Sequence, residues 1–198
     1  MAKLMHLSYR PIYGRYPSHS FAMKGNLILV LAFIIFGSAF ALRAKITRVE
    51  CKEFDKAFAS ITKCYLKALS RYKSAFSLYV ALHQVPVDNV TFNAALFRKG
   101  NNGYCPFMYN HTVDFCRFYK NPNRFMFWKI VFFNIVAPAS NINHTCPYDH
   151  DIILEKLVLD SEMFKLIPFP ADEYMVRVKI AAYNHYKAEI RAYIQISE

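Results

Sequence analysis

Residues 173–197 read "EYMVRVKIAAYNHYKAEIRAYIQIS", and this stretch has the clearest periodicity in the chain. Apolar residues recur at every second position in both halves of it: Tyr174, Val176, Val178, Ile180, Ala188, Ile190, Ile194 and Ile196. The residues between them are predicted to face outward: Arg177, Lys179, Lys187, Glu189, Arg191 and Gln195. A period of two with one polar face is typical of antiparallel strands. The stretch predicts two neighbouring strands, with "NHY" (184–186) as the turn.

The same alternation extends to other parts of the chain. Residues 73–84 place Phe76, Leu78, Val80 and Leu82 on one face, and residues 89–97 do the same for Phe92, Ala94 and Leu96. Shorter strand candidates are 46–51, 62–69 and 151–159. The sequence therefore predicts a mainly β protein, an antiparallel β-sandwich of about seven strands.

One segment does not alternate. Residues 124–137, "RFMFWKIVFFNIVA", are apolar almost all round and lie between Pro122 and Pro138. Their length favours one buried helix over a strand. Such a helix more often fills the core, and the alternative is that it covers a hydrophobic pocket. Its many aromatic side chains are compatible with both interpretations.

The N-terminal part has the three regions of a secretory signal. Lys24 precedes an uncharged apolar run at 27–42 that ends in small residues, with Ala39 and Ala41 in an A-x-A arrangement. The run is shorter than the roughly 20 residues that span a membrane. We predict an extension at 1–22, a signal peptide at 23–41 and one domain at 42–198, and hence a secreted protein. The alternative is a membrane anchor formed by an uncleaved 27–42.

The net charge of the whole chain is +11. Removal of residues 1–41 leaves 157 residues with 21 basic and 14 acidic side chains. The positive charges are spread out, which is typical of a solvated surface rather than a nucleic-acid interface. The sequence indicates no nucleic-acid partner and contains no phosphate-binding loop or nucleophile motif.

Secretion agrees with the cysteines and the glycosylation sequons. The sequons begin at Asn89, Asn110 and Asn143. Five cysteines in an oxidising compartment predict disulfides with one cysteine left over. Loop lengths suggest the pairs Cys51–Cys64 and Cys116–Cys146 with Cys105 unpaired, although sequence alone leaves the connectivity open.

Residues 141–150, "NINHTCPYDH", combine two histidines with a cysteine and an aspartate. A zinc site would need a thiolate and four converging ligands, and the stretch lacks a CxxC or HxxxH spacing. A catalytic cysteine would have to be reduced. We therefore expect Cys146 to form a structural disulfide, and we predict no metal, no cofactor, no catalytic residue and no enzymatic activity.

Three blocks of the sequence resemble one family. They are "NGYCPFMYNHTVDFCRF" (102–118), "NINHTCPYDHDI" (141–152) and "LIPFPADEYMVRVKIAAYN" (166–184). They resemble the insect secreted family of domain of unknown function 1091, which is similar to the ML lipid-recognition proteins, β-sandwiches that hold lipid between two sheets. The resemblance implies Cys51, Cys64, Cys116 and Cys146 as the family cysteines, and some relatives are linked to gustatory or pheromone sensing. Cys105, and Ala171 in place of a glycine, depart from the family pattern.

Two functional hypotheses follow. The first is a secreted, ML-like binding protein, with a chemosensory role implied by the resemblance, that holds a small hydrophobic ligand or lipid between its sheets. The residues predicted to line its pocket are Phe76, Leu78, Val80, Phe92, Leu96, Phe125, Trp128 and Phe132. The alternative is an extracellular interaction module with a filled core, which would bind a receptor or form a covalent dimer through Cys105.

Overall fold

The computed structural model describes residues 42–160 and 169–197. The extension and the signal or anchor segment predicted at 1–42 therefore lie almost entirely outside the described residues. Within these two ranges, eight strands form two antiparallel sheets, which confirms the predicted fold class. Their bounds are β1 (Arg43–Glu53), β2 (Ala59–Ala68), β3 (Ser74–Leu82), β4 (Val90–Gly100), β5 (Gly103–Asp114), β6 (Ile152–Val158), β7 (Asp172–Ala182) and β8 (His185–Ser197).

The larger sheet has the strand order β1-β8-β7-β4-β5, and the smaller sheet has the order β2-β3-β6. All pairings are antiparallel. The disulfide between Cys51 on β1 and Cys64 on β2 links the two sheets. Apolar side chains from both sheets face each other, as expected for a sandwich.

The turn between β7 and β8 lies one residue earlier than predicted. Tyr183 and Asn184 form it, while His185 and Tyr186 already belong to β8. Both turn residues have positive φ, 51° and 66°. Two consecutive residues with positive φ are typical of two-residue hairpin loops, because their twist matches that of the strands.

Strand β5 was not predicted, so the sandwich has eight strands rather than about seven. The strand lies at an edge of the larger sheet and contains Cys105 and Pro106. Its register against β4 shifts between Ala95 and Phe97, and Met108 in the bulge has a φ of 54°. A bulge interrupts the alternation of side chains, and this removed the signal on which the prediction depends.

The predicted helix at 124–137 is present as four short pieces. A 3-10 turn (Pro122–Arg124), helix α2 (Met126–Val131), a π-helical turn (Phe132–Val136) and a second 3-10 turn (Ala137–Ala139) follow one another. A further helix, α1 (Phe115–Lys120), precedes them, and the side chain of Asp114 caps its first turn by accepting from the N–H of Arg117. Together these pieces, residues 115–139, form the helical segment.

The helical segment packs on both sheets. Helix α1 contacts β4 and β5, and the last two pieces contact β6. The disulfide between Cys116 and Cys146 ties α1 to the loop before β6. Within the residues that the structure describes, no helix has the length and apolar character needed to cross a membrane.

Candidate functional site

A cavity of about 480 Å³ lies between the two sheets. The inward faces of β3, β4, β6, β7 and β8 line it, and the helical segment covers one side. The alternation of the strands explains its wall, because every second residue points into the space. The predicted inward residues of β7 and β8 all lie on the wall: Tyr174, Val176, Val178, Ile180, Ala188, Ile190, Ile194 and Ile196.

The residues predicted to line a pocket are largely brought together here. Those on the cavity wall are Phe76, Leu78, Val80, Phe92, Leu96, Trp128 and Phe132. Phe125 is not on this wall. It directly precedes α2, its ring contacts that of Phe118, and it lines a smaller, neighbouring pocket with Met126 and His111.

Aromatic rings form the side of the cavity that the helical segment covers. Trp128 lies edge-on against Phe92 with ring centroids 4.7 Å apart, and Phe132 lies edge-on against Phe115 at 5.2 Å. Edge-to-face contacts of this kind are favourable beyond the area they bury. The aromatic excess of the segment therefore serves both the packing and the cavity wall.

Sequence reasoning placed Lys187 on the outer face, and this was wrong. The register of β8 against β7 shifts between Ile180 and Ala181, so Lys187 falls in a β-bulge and its side chain reaches the cavity wall. Its Nζ donates a 2.7 Å hydrogen bond to Oδ2 of Asp55 and lies 4.3 Å from the centre of the Phe58 ring. The alkyl stem of the lysine thus contributes to the wall while its charge is neutralised beside it. The hydrophobic pattern of the sequence did not reveal this register shift, so the bulge could not be predicted from it.

The wall of the cavity presents apolar surface only. Two tyrosines on it are buried enough that desolvation raises the pKa of each phenol, to about 12 for Tyr109 and higher still for Tyr148. Both phenols are therefore neutral at physiological pH.

The stretch 141–150 forms the loop before β6 and carries Tyr148, a wall residue that sequence reasoning missed. Tyr148 pairs through its backbone with Val87, which also lines the cavity. Cys146 is bonded to Cys116, as expected. The rings of His144 and His150 meet head to head, with their Nε2 atoms 2.9 Å apart. No group of three or more potential metal ligands occurs in the part of the chain that the structure describes.

The other predicted surface residues are accessible. Asn89, Asn110 and Asn143, the first residues of the sequons, are exposed, and their glycosylation stays a prediction. Cys105 is exposed and unbonded on the edge strand β5.

Comparison with known proteins gives one family match and a distant structural likeness. The family described as "Protein of unknown function (DUF1091)" matches residues 92–176. No curated protein matches the sequence. A solved structure of a Niemann-Pick type C2 protein from the Japanese carpenter ant is similar with 15% identity and a TM-score of 0.30, over 76% of this chain and 90% of that one.

The family match spans β4, β5, the helical segment, β6 and the start of β7, and so includes much of the cavity wall. Over residues 92–176, it confirms the resemblance to the DUF1091 family that was drawn from the sequence.

Proposed function

We propose that this protein binds a small hydrophobic molecule in the cavity between its sheets. The cavity itself carries the proposal. At about 24 cal/mol per Å³, leaving an apolar space of 480 Å³ unfilled would cost roughly 12 kcal/mol. That is close to the whole net stability of a typical domain. Water does not relieve this cost, because a stable buried water needs polar partners that the wall does not offer.

The size of the cavity limits the ligand. At the density of liquid water, about 30 Å³ per molecule, 480 Å³ accommodates about 16 non-hydrogen atoms. The volume falls within the range of small-molecule sites. A medium-length acyl or alkyl chain, or a compact terpene-sized molecule, fits this space.

The polarity of the wall limits the ligand further. A hydroxyl or carbonyl group enclosed without a hydrogen-bond partner costs about 2–7 kcal/mol. The enclosed part of the ligand is therefore hydrocarbon, and any polar group of the ligand lies at the cavity opening. Lys187 does not change this, because its charged group is already paired with Asp55.

The proposed setting is extracellular. Two disulfides in the described part of the chain are compatible with an oxidising compartment. The exposed sequons and the signal predicted at 23–41 support secretion. Resemblance to a family with gustatory and pheromone-sensing relatives supports a chemosensory role. We propose a binding protein without catalytic activity or cofactor.

A variant that fills the cavity tests the proposal. Ala94 is buried on the wall, and Ala94→Phe replaces part of the space with a side chain. Binding of the apolar fluorescent probe N-phenyl-1-naphthylamine is expected to weaken at least tenfold. Lys67→Phe, on the exposed surface of β2, is the control and keeps wild-type binding. Equal binding by both variants and wild type would place the probe elsewhere and contradict the proposal.

A second candidate function is supported by Cys105. Its thiol is exposed on an edge strand, where another chain is able to approach. A covalent dimer or a disulfide to a receptor would use this position. A non-reducing gel of the wild type and of Cys105→Ser decides: a dimer band that Cys105→Ser removes supports this function, and a monomer band in both excludes the covalent form.

A further inference from the structure

His144 and His150 meet head to head. Their Nε2 atoms are 2.9 Å apart and their ring centroids are 5.2 Å apart. An imidazole nitrogen lies little more than an ångström from its ring centre, so both nitrogens lie close to the line that joins the two centres. A shared metal ion would need the two lone pairs to converge at an angle. The collinear arrangement fits a hydrogen bond, with one proton between the two nitrogens.

The hydrogen-bond partners of the Nδ1 atoms show which ring nitrogens carry a proton. His144 Nδ1 lies 2.7 Å from the carbonyl O of Thr145, which only accepts, so this nitrogen carries a proton. The Nε2 of a neutral His144 is then an acceptor, and His150 donates to it.

His150 has two possible partners at Nδ1. Asn141 accepts the N–H of Ile153 at its Oδ1, which turns its amide nitrogen toward His150 Nδ1 at 3.1 Å. The carbonyl O of Asp151 lies 2.9 Å from the same nitrogen. When Nδ1 is unprotonated it accepts from Asn141, and when it is protonated it donates to Asp151. One proton lies between the Nε2 atoms in both states.

Relative to the neutral state, the pair can therefore take up one further proton and keep its central hydrogen bond, but it cannot take up two. In the singly charged pair, His150 donates at Nδ1 and the central hydrogen bond stays. A second proton places an N–H on both Nε2 atoms and a positive charge on both rings. Two such groups at 2.9 Å repel each other, and the rings must separate.

The histidines hold a wall residue of the cavity. The ring of His144 lies against that of Tyr148 with centroids 4.5 Å apart, and His150 contacts it edge-on at 5.7 Å. The Tyr148 hydroxyl donates to the carbonyl O of His144. Tyr148 is 3% exposed and lines the cavity next to Phe115. Separation of the two rings thus removes the support of this wall.

We propose that His144 and His150 form a proton-controlled latch that keeps Tyr148 in the cavity wall and releases it when both rings are protonated. The latch regulates the binding site, and in this sense it rests on the proposed function. Acidification then opens the cavity and weakens ligand binding, in a step that takes up more than one proton.

The groups around the two histidines are neutral, exposed or already hydrogen-bonded elsewhere. Tyr148 touches both rings and is neutral, and Tyr119 donates its hydroxyl to the carbonyl O of Asn143. The carboxylate of Asp151 accepts the N–H of Leu82, and Asp149 is exposed. Among the described residues, no carboxylate forms an ion pair with either histidine. A second positive charge would therefore lack a neutralising partner.

The direct test is NMR of protein with ¹⁵N-labelled histidine. A proton between the two nitrogens produces a scalar coupling across the hydrogen bond between His144 Nε2 and His150 Nε2. We expect this coupling at pH 7.5 and its loss at pH 5.0. The backbone N–H groups of Tyr148 and Val87 each donate to the other residue's carbonyl O. When the coupling is lost, we expect the protection of these two N–H groups from hydrogen exchange to fall at least tenfold. Absence of the coupling at pH 7.5, or unchanged protection after its loss, overturns the latch.

Binding of N-phenyl-1-naphthylamine links the latch to the cavity. Wild-type affinity is expected to fall at least tenfold from pH 7.5 to pH 5.0. The double variant His144→Gln/His150→Gln, whose amides pair without titrating, should change less than threefold. His185→Gln, at an exposed histidine of β8, is the control and keeps the wild-type response. An equal loss of affinity in the double variant overturns the proposal. If the probe binds none of the proteins at pH 7.5, the proposed function fails, while the coupling and the exchange still test the latch.

Discussion

Lys187 and Asp55 form a 2.7 Å ion pair beside an otherwise apolar cavity, at a point where a bulge in β8 turns the lysine inward. The lysine side chain is 13% exposed and that of Asp55 is 37% exposed. The pair joins the loop after β1 to the start of β8, since the N–H of Phe54 also donates to the carbonyl O of Lys187. An ion pair thus stabilises one end of the cavity. Because the two charges neutralise each other, neither is available to bind a ligand.

Because of this ion pair, we predict that the free energy of unfolding decreases at acidic pH. The hydrogen bond from Lys187 is the main cause that lowers the pKa of Asp55 below its ordinary value of 3.8. A carboxyl whose pKa is lowered by folding stabilises the fold above its unfolded pKa, and this contribution is lost as the pH falls through the folded value. In Lys187→Met, urea unfolding should therefore show a smaller loss of stability between about pH 5 and pH 2 than in wild type.

Lys56→Met is the matched control for this prediction. Lys56 pairs with Glu53, but the main cause of the lowered pKa of Glu53 is the N–H of Ile61, which stays. Its acid dependence should remain close to that of the wild type. Probe affinity at pH 7.5 should be unchanged in Lys187→Met, since a methionine still supplies apolar surface to the wall. Weaker binding in that variant would instead indicate that the ammonium group contacts the ligand.

A comparison of Phe132 with Phe118 distinguishes a residue of the cavity wall from a residue of the core. Both are buried in the helical segment, with ring centroids 5.8 Å apart, but only Phe132 lines the cavity. Phe132→Leu and Phe118→Leu should each cost about 1–2 kcal/mol in urea unfolding, since each removes packed volume. Only Phe132→Leu should alter the affinity for the fluorescent probe. If both variants lose stability and neither changes affinity, Phe132 is core and not part of the binding wall.

The two disulfides should differ in their effect on binding. Replacing either pair by serines is expected to cost about 3–4 kcal/mol, because the loops they close are of moderate length. The change Cys116→Ser/Cys146→Ser frees the loop that carries Tyr148 and should also weaken probe binding. Cys51→Ser/Cys64→Ser removes the link between β1 and β2, away from that loop, and is the control. Equal affinities of the two variants, measured where both are folded, would contradict a role of the loop in the wall.

Stability of the protein should respond to an apolar ligand. Because binding to the folded state alone stabilises it by mass action, saturation at about 100 times the dissociation constant adds about 2.7 kcal/mol. Thermal unfolding with N-phenyl-1-naphthylamine should show this increase in the wild type and a reduced one in Ala94→Phe. A rise in melting temperature of equal size in both would place the stabilising site outside the cavity.

The regular strands were predictable because the alternation of apolar and polar residues that identifies them lies within each strand's own sequence. In β3, β4, β7 and β8, alternation identified both the strands and most of the residues that line the cavity. The inward orientation of Phe76 and Phe92 could be predicted without knowing which strands pair with theirs. The length of the run at 124–137 likewise predicted helical structure, although not its division into α, π and 3-10 pieces.

The remaining features depend on contacts between distant parts of the chain. Strand β5 contains a bulge at Met108, and the inward turn of Lys187 depends on the register of β8 against β7. Neither leaves a periodic signal in the sequence. The contact between His144 and His150 depends on the path of a loop fixed by Val87 and Cys116, so their proximity in sequence could not predict that their rings face each other.

Whether the cavity holds a ligand is best measured by native mass spectrometry of the protein purified from the medium of insect cells, after removal of glycans. We predict a non-covalent adduct with the mass of a small apolar molecule. It should be lost on unfolding and absent or reduced in Ala94→Phe. A single mass without adduct, with no uptake from a lipid extract, would contradict the claim that the cavity is a ligand-binding site.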